Sequence, residues 1–249
     1  MDNCNASAVP GVKGTPTEYD GDDLNARDAK VFRSVVVRAN YLAQDRPDIR
    51  YSCKELCRSM SRPCVGAWRA LKKLCRYLRG NPAIVQSMPI DSGSCQQLDV
   101  CVDSDWAGCA GTRRSTNGGA VMWNGVCLKT WSTTQTVVAL SSGEAEYYAA
   151  VKGCAEGLAI QSFCRDLGIQ VKVQIWTDSE ACKGICNRTG LGKIKHMDVQ
   201  LLWLQDAVRR ERVKLGKVRG DKNPSDLMTK HLSRAAIERN LARLGFASR

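Results

Sequence analysis

Residues 98–157 read LDVCVDSDWAGCAGTRRSTNGGAVMWNGVCLKTWSTTQTVVALSSGEAEYYAAVKGCAEG. Leu98, Val100 and Val102 alternate with Asp99, Cys101 and Asp103, which is the period of a strand over Leu98–Asp103. Gly119–Trp123 and Val126–Trp131 flank Asn124-Gly125, a dipeptide that accepts the two positive φ angles of a tight hairpin turn. From Ser141 to about Gly157 the pattern is helical. Ser141-Ser142-Gly143-Glu144 fits a capping box, in which the serine and glutamate side chains satisfy backbone N–H groups at the helix start. Three strands followed by a helix open a sheet with helical cover.

Downstream, Val171–Thr177 alternates as a strand, a helix occupies roughly Ser179–Asn187, and a long helix spans about Lys195–Arg212. Val213–Val218 reads as the last strand and Pro224–His231 opens a last helix. This order predicts an α/β domain over residues 98–233, a mixed sheet flanked by helices, with a helical tail at 234–249. Upstream, residues 1–29 are rich in Gly, Pro, Asn and Asp and read as a flexible leader. Its Tyr19-Asp20-Gly21-Asp22-Asp23 has one residue too many for a polymerase YxDD box and reads as an acidic loop. Residues 30–82 are helical: a stripe of Val31, Val35, Ala39 and Leu42, then Tyr51–Met60, then Val65–Leu78 with Leu71, Leu74 and Leu78 on one face. Gly80-Asn81-Pro82 stops the third helix, and 83–97 reads as a linker.

The formal charge of +12 is concentrated in residues 31–82, which hold twelve basic and three acidic residues. Such a segment beside clustered carboxylates points to a polyanionic partner, of which nucleic acid is the usual one. No uninterrupted apolar stretch is long enough for a membrane span, and the N-terminus lacks the apolar core of a secretory signal, so an intracellular, reducing location is expected. The thirteen cysteines are scattered, the closest pairs (Cys53/Cys57 and Cys182/Cys186) are four apart, and only two histidines are present. That excludes the common zinc modules and reads as reduced thiols serving as small hydrophobes.

Four acids stand where strands and helices begin or end: Asp103, Glu146, Asp178 and Asp226. Carboxylates and water are the natural ligands of Mg²⁺, and two such ions about 4 Å apart suit phosphodiester hydrolysis. Singly, each acid has a structural reading, as a helix cap, a dipole partner or an exposed strand end. Glu144 competes with Glu146, but the capping box occupies Glu144. Glu146 shares a helical face with Ala149, Ala150, Gly153 and Gly157, small enough to bring it near the sheet. Asp103 and Asp105 point to the same side of a strand, so spacing leaves that choice open.

Several runs together resemble the ribonuclease H domain of copia-type long-terminal-repeat retrotransposon Pol polyproteins. They are DSDWAG (103–108), RRSTNG (113–118), VALSSGEAEY (138–147), TDSEA (177–181), KHMD (195–198) and SDLMTKHL (225–232). YLA (41–43), RPDI (46–49) and LCRYLRG (74–80) resemble the segment that follows the reverse transcriptase core. The resemblance implies a ribonuclease H-like mixed sheet behind a helical thumb or connection remnant. It also implies two Mg²⁺ ions, with Mn²⁺ as a substitute, held by Asp103, Glu146, Asp178 and Asp226, which puts Asp103 ahead of Asp105. The implied activity is cleavage of the RNA strand of an RNA–DNA hybrid. No histidine precedes the last acid in Val218–Lys222, leaving Asp221 or Lys222 for any proton transfer there, and no polymerase core is present. Arg113, Arg114, Ser141 and Ser142 are candidate contacts to a nucleic-acid backbone. His196 and His231 read as surface or capping residues. The alternatives are a catalytically silent ribonuclease H fold kept for nucleic-acid binding or polyprotein interaction, and an integrase-like strand transferase. Retention of all four acids speaks against the first, and the Asp226 motif against the second.

Overall fold

The computed structural model describes residues 4–12, 21–88, 96–192 and 199–248. Part of the leader with Tyr19 and Asp20, residues 89–95 of the 83–97 stretch, and the Lys195–Asp198 motif with His196 lie outside the described residues. Along the chain the elements are α1 (Ala26–Leu42), α2 (Pro47–Arg58), α3 (Val65–Gly80), β1 (Ile84–Gln86), β2 (Gln97–Asp105), β3 (Thr116–Trp123) and β4 (Val126–Thr134). Then follow α4 (Ser142–Asp166), β5 (Lys172–Thr177), α5 (Glu180–Cys186), α6 (Trp203–Arg209), β6 (Val213–Lys217), α7 (Arg234–Arg243) and β7 (Phe246–Ser248). Two compact units result, one from residues 1–87 with 230–249 and one from 88–229.

In the unit of residues 88–229 the sheet order is β4-β3-β2-β5-β6. β2 is antiparallel to β3 and parallel to β5, and β5 is parallel to β6, giving the mixed sheet expected of a ribonuclease H-like fold. Leu98, Val100 and Val102 of this central strand are fully buried. Asn124 and Gly125 turn the hairpin with φ of 50° and 77°, as the turn chemistry requires. α4 runs past Gly157 to Asp166, because nothing in Leu158–Asp166 breaks a helix before Gly168, where φ is +78°. Gly157 is instead an approach residue: a Cβ there would lie 2.8 Å from Val173 and 2.9 Å from Val100, and one at Gly153 would lie 2.3 Å from Val102.

Two further expectations change. The described part of the 195–212 segment is a 3₁₀ turn, Val199–Leu202, followed by α6, which ends before Glu211 in a left-handed conformation (φ 54°). Pro224–Met228 is a five-residue 3₁₀ turn rather than the start of a helix continuing to His231. Its Asn223 N-cap accepts from the Ser225 N–H, while the Asn223 amide donates to Val102 O of β2 at 2.8 Å. That anchor holds the turn against the sheet.

In the other unit, α1, α2 and α3 enclose Phe32, Val36, Ile49, Leu56, Leu71 and Leu74. The buried face of α1 is Ala29, Phe32, Val36 and Ala39, whereas Val31 and Leu42 of the expected stripe are exposed. Pro47 begins α2 at its first turn, where its missing N–H costs nothing. Buried Arg46 makes a two-pronged ion pair with Asp48 at 2.9 and 2.7 Å, and Asp48 also accepts from the Tyr77 hydroxyl at 2.9 Å. β1 pairs antiparallel with β7, and α7 buries Ile237 and Leu241 in the same unit. The cysteines among the described residues are free thiols, and no described helix is long and apolar enough to cross a membrane.

Candidate active site

Three elements of the 88–229 unit deliver acids to one end of the sheet. The β2–β5 register pairs Cys101 with Trp176, so two residues on Asp103 stands near the end of β2 and Asp178 just past the end of β5. Glu146 projects from the second turn of α4, which the glycines at 153 and 157 bring down onto β2. Carboxylate oxygens of Asp103, Glu146 and Asp178 all lie within 4.8 Å of one another. Asp226 stands outside that trio, half-buried on the 3₁₀ turn that Asn223 anchors to Val102.

The hydrogen bonds divide the Glu146 carboxylate unevenly. Glu146 Oε1 accepts from the Ser104 N–H at 3.2 Å and from the Ser104 hydroxyl at 3.0 Å. Glu146 Oε2 is buried and has no hydrogen-bond partner. Asp103 is 3% exposed, and its Oδ2 accepts from the Thr229 hydroxyl. Burial, with the charges of Asp103 and then Asp178, pushes the Glu146 carboxyl up to about 8, against the partial relief of the two Ser104 hydrogen bonds. Like charges 4.8 Å apart repel by about 3 kcal/mol per pair at an effective dielectric near 20, so three ionised carboxylates here need a cation. The buried, unpartnered Glu146 oxygen and the all-oxygen donor set fit a hard divalent ion.

Glu144 is separated from this chemistry. Its backbone N–H donates to Ser141 Oγ at 3.2 Å, and its carboxylate accepts from the Leu140 N–H at 3.0 Å and the Tyr148 hydroxyl at 2.6 Å. Asp105 is likewise diverted: its carboxylate lies against Gly108, where a Cβ would meet Oδ2 at 1.9 Å. Arg113 and Arg114 are exposed on the loop before β3, and Ser141 and Ser142 are exposed at the start of α4. His231 falls in the other unit, edge-on to Tyr51 with centroids 4.8 Å apart, and burial lowers its pKa. Arg219 pairs with Asp221 at 3.0 Å in the exposed turn after β6, where a Cβ at Gly220 would sit 3.0 Å from Asp178 Oδ2.

Sequence reasoning missed Ser104, Asn223 and Thr229, the groups that hold the acids in place. Thr229 follows Asp226 by three residues, one turn away, which was the available signal.

No family model matches the chain. It is 31% identical over 195 residues to the retrovirus-related Pol polyprotein from transposon TNT 1-94 of Nicotiana tabacum, covering 78% of this chain and 14% of that one. It is 30% identical over 222 residues to the Pol polyprotein from transposon RE2 of Arabidopsis thaliana, covering 88% of this chain and 15% of that one. The chain belongs to the copia-type retrotransposon Pol polyproteins. It spans about one seventh of the length of these relatives, so it matches one region of such a polyprotein. Among solved structures, LC11-RNase H1 in complex with an RNA/DNA hybrid is 15% identical, covering 53% of this chain and 93% of that one, with a TM-score of 0.36. The strand order, rather than that score, identifies the sheet as ribonuclease H-like.

Proposed function

We propose that this Pol region is a metal-dependent endonuclease that cleaves the RNA strand of RNA–DNA hybrids. The observation that carries the reading is the convergence of Asp103, Glu146 and Asp178, together with a buried Glu146 oxygen that no protein donor satisfies. Leaving such an oxygen unpaired is costly, and a cation removes the cost. Asp103, Glu146 and Asp178, with Asp226 on its anchored turn as the fourth ligand, would hold two Mg²⁺ ions, for which Mn²⁺ substitutes. A pair of bound ions supplies activation of a water and neutralisation of the leaving oxygen.

The chain's own groups do the rest. Ser104 fixes Glu146 by two hydrogen bonds, so the free oxygen has a defined direction. The exposed Arg113 and Arg114 and the N–H groups at the Ser141–Ser142 helix start contact backbone phosphate. The 2′-hydroxyl and the A-form-like groove mark the strand to be cut. The free thiols of the described cysteines suit a reducing compartment.

Incubating the protein with a doubly labelled RNA–DNA hybrid tests the reading. Cleavage confined to the RNA strand, present with Mg²⁺ and absent with EDTA, is expected. An intact hybrid at saturating Mg²⁺, or cutting that survives EDTA, overturns it.

A further inference from the structure

The 3₁₀ turn at Pro224–Met228 ends on a residue that reaches back into the acid cluster. Thr229 is fully buried, and its hydroxyl donates to Asp103 Oδ2. The other acceptor within reach, Asp226 O, lies at 3.4 Å, so the hydroxyl proton belongs to the Asp103 bond. The Thr229 N–H also meets Asp226 O, at 3.3 Å. Space for this arrangement is made by Gly118, the residue opposite Asp103 in β3. A Cβ at Gly118 would lie 2.5 Å from Thr229 Cγ2 and 2.9 Å from Met228 Cβ. The turn is pinned at its other end by the Asn223 amide on Val102 O, one residue before Asp103.

From this geometry we infer that Thr229 is a positioning residue for the metal site, an inference that rests on the cation-binding reading above. Its hydroxyl donates to Asp103 Oδ2 and so fixes the orientation of a carboxylate that stands in the Asp103–Glu146–Asp178 cluster. The same hydrogen bond ties the orientation of Asp103 to the turn that carries Asp226. A ligand carboxylate held by a neighbouring donor loses less rotational freedom on binding an ion, and removing such a donor typically weakens metal affinity about 10- to 100-fold. Thr229 touches neither substrate nor ion in this assignment; it acts through Asp103.

The test is ion-dependent melting of the full chain without nucleic acid, titrating Mn²⁺ and Mg²⁺ against wild type, Thr229→Val, Thr229→Ala, Thr229→Ser and Asp103→Asn. Thr229→Val keeps the shape and removes the donor. Thr229→Ala and Thr229→Ser differ by the hydroxyl alone, which keeps the comparison valid if the valine variant does not fold. Thr229→Val and Thr229→Ala should need about tenfold more ion or higher for the half-maximal shift, and Thr229→Ser should stay within about threefold of wild type. Asp103→Asn should lose most of the shift. Midpoints for valine and alanine equal to wild type, or a serine midpoint as poor as alanine, would overturn the inference, as would a wild type that shows no ion response. A wild type that responds to ions but leaves the hybrid intact sinks the nuclease reading alone, because the ion response is read without substrate.

Discussion

Glu144 and Glu146 lie two positions apart on α4, and their environments give them opposite tasks. Glu144 is engaged by Ser141, Leu140 and Tyr148 and holds the helix start together. Glu146 leaves one buried oxygen for a cation. Glu146→Gln should therefore abolish hybrid cleavage and the ion-induced rise in melting temperature, while Glu144→Gln keeps cleavage and loses about 1 kcal/mol or less, since glutamine still serves a capping box. Measured together, loss of cleavage in Glu144→Gln alone would exchange the roles. Glu146 also sets a pH dependence. Its folded pKa of about 8 stands above the 4.5 of an ordinary glutamate, so between those values the native state keeps a proton that the unfolded chain has released. In EDTA, stability should fall as pH rises from about 5 to 8, more in wild type than in Glu146→Gln, and Mg²⁺ should shrink the difference. A flat wild-type melting profile over that range would contradict the burial of this carboxyl. The capping of the helix start by Glu144, which leaves Glu146 as the acid beside Asp103 and Asp178, was legible because a capping box has a sequence signature. The separation of Asp103 from Asp105 was not, because two residues on one strand face differ only in what packs against them, here Thr229 against one and Gly108 against the other.

At the scale of elements, helix-to-strand approach decides whether the acids meet. Glu146 is seven residues, two turns, before Gly153, so anything that lifts α4 from β2 moves Glu146 with it. Gly153→Ala places a methyl 2.3 Å from Val102 and 3.3 Å from Val100. Alanine gains about 1 kcal/mol of helix propensity over glycine, and overpacking a tight core costs about 1–3 kcal/mol. The overlap with a β-branched side chain puts this site at the costly end, so the variant should melt lower and need more Mg²⁺ for its response. Adding Val102→Ala should recover part of both. A Gly153→Ala protein that melts higher than wild type would show that the approach is looser than these distances imply. The long periodic elements were legible: the β2 alternation, the Asn124-Gly125 hairpin and α4 all rest on local chemistry. The stripe on α1 was not, because Val31, Val35, Val36 and Val37 make the helix apolar on several sides, and Phe32, the larger side chain, selects the buried face. Nor was the β1–β7 pair, since two three-residue strands so far apart along the chain carry no pattern of their own.

The whole molecule divides its charge as sharply as its fold. Residues 1–87 and 230–249 carry twenty basic and ten acidic residues, a net of +10, whereas residues 88–229 carry seventeen and fifteen, a net of +2. We propose that the basic unit, with Arg69, Lys72, Lys73, Arg76 and Arg79 on α3, holds the hybrid electrostatically while the acids of the other unit cut it. The C-terminal segment matters to the design of the test, because α7 and β7 pack with the N-terminal part of the chain. Deleting residues 1–87 alone would strand them, so the comparison is the full chain against residues 88–229, which have their own core around Leu98, Val100, Tyr147 and Ile175. Removing one Lys or Arg from a backbone phosphate reduces the slope of log affinity against log salt by roughly 0.7–0.9, so removing the whole basic unit should flatten it by several units. Affinity at low salt should fall with it, while turnover at saturating hybrid changes much less, because all four acids remain. If residues 88–229 fold and bind with the same affinity and salt slope as the full chain, the charge on the basic unit is only a solvated face, and the hybrid is held by the acid-bearing unit itself.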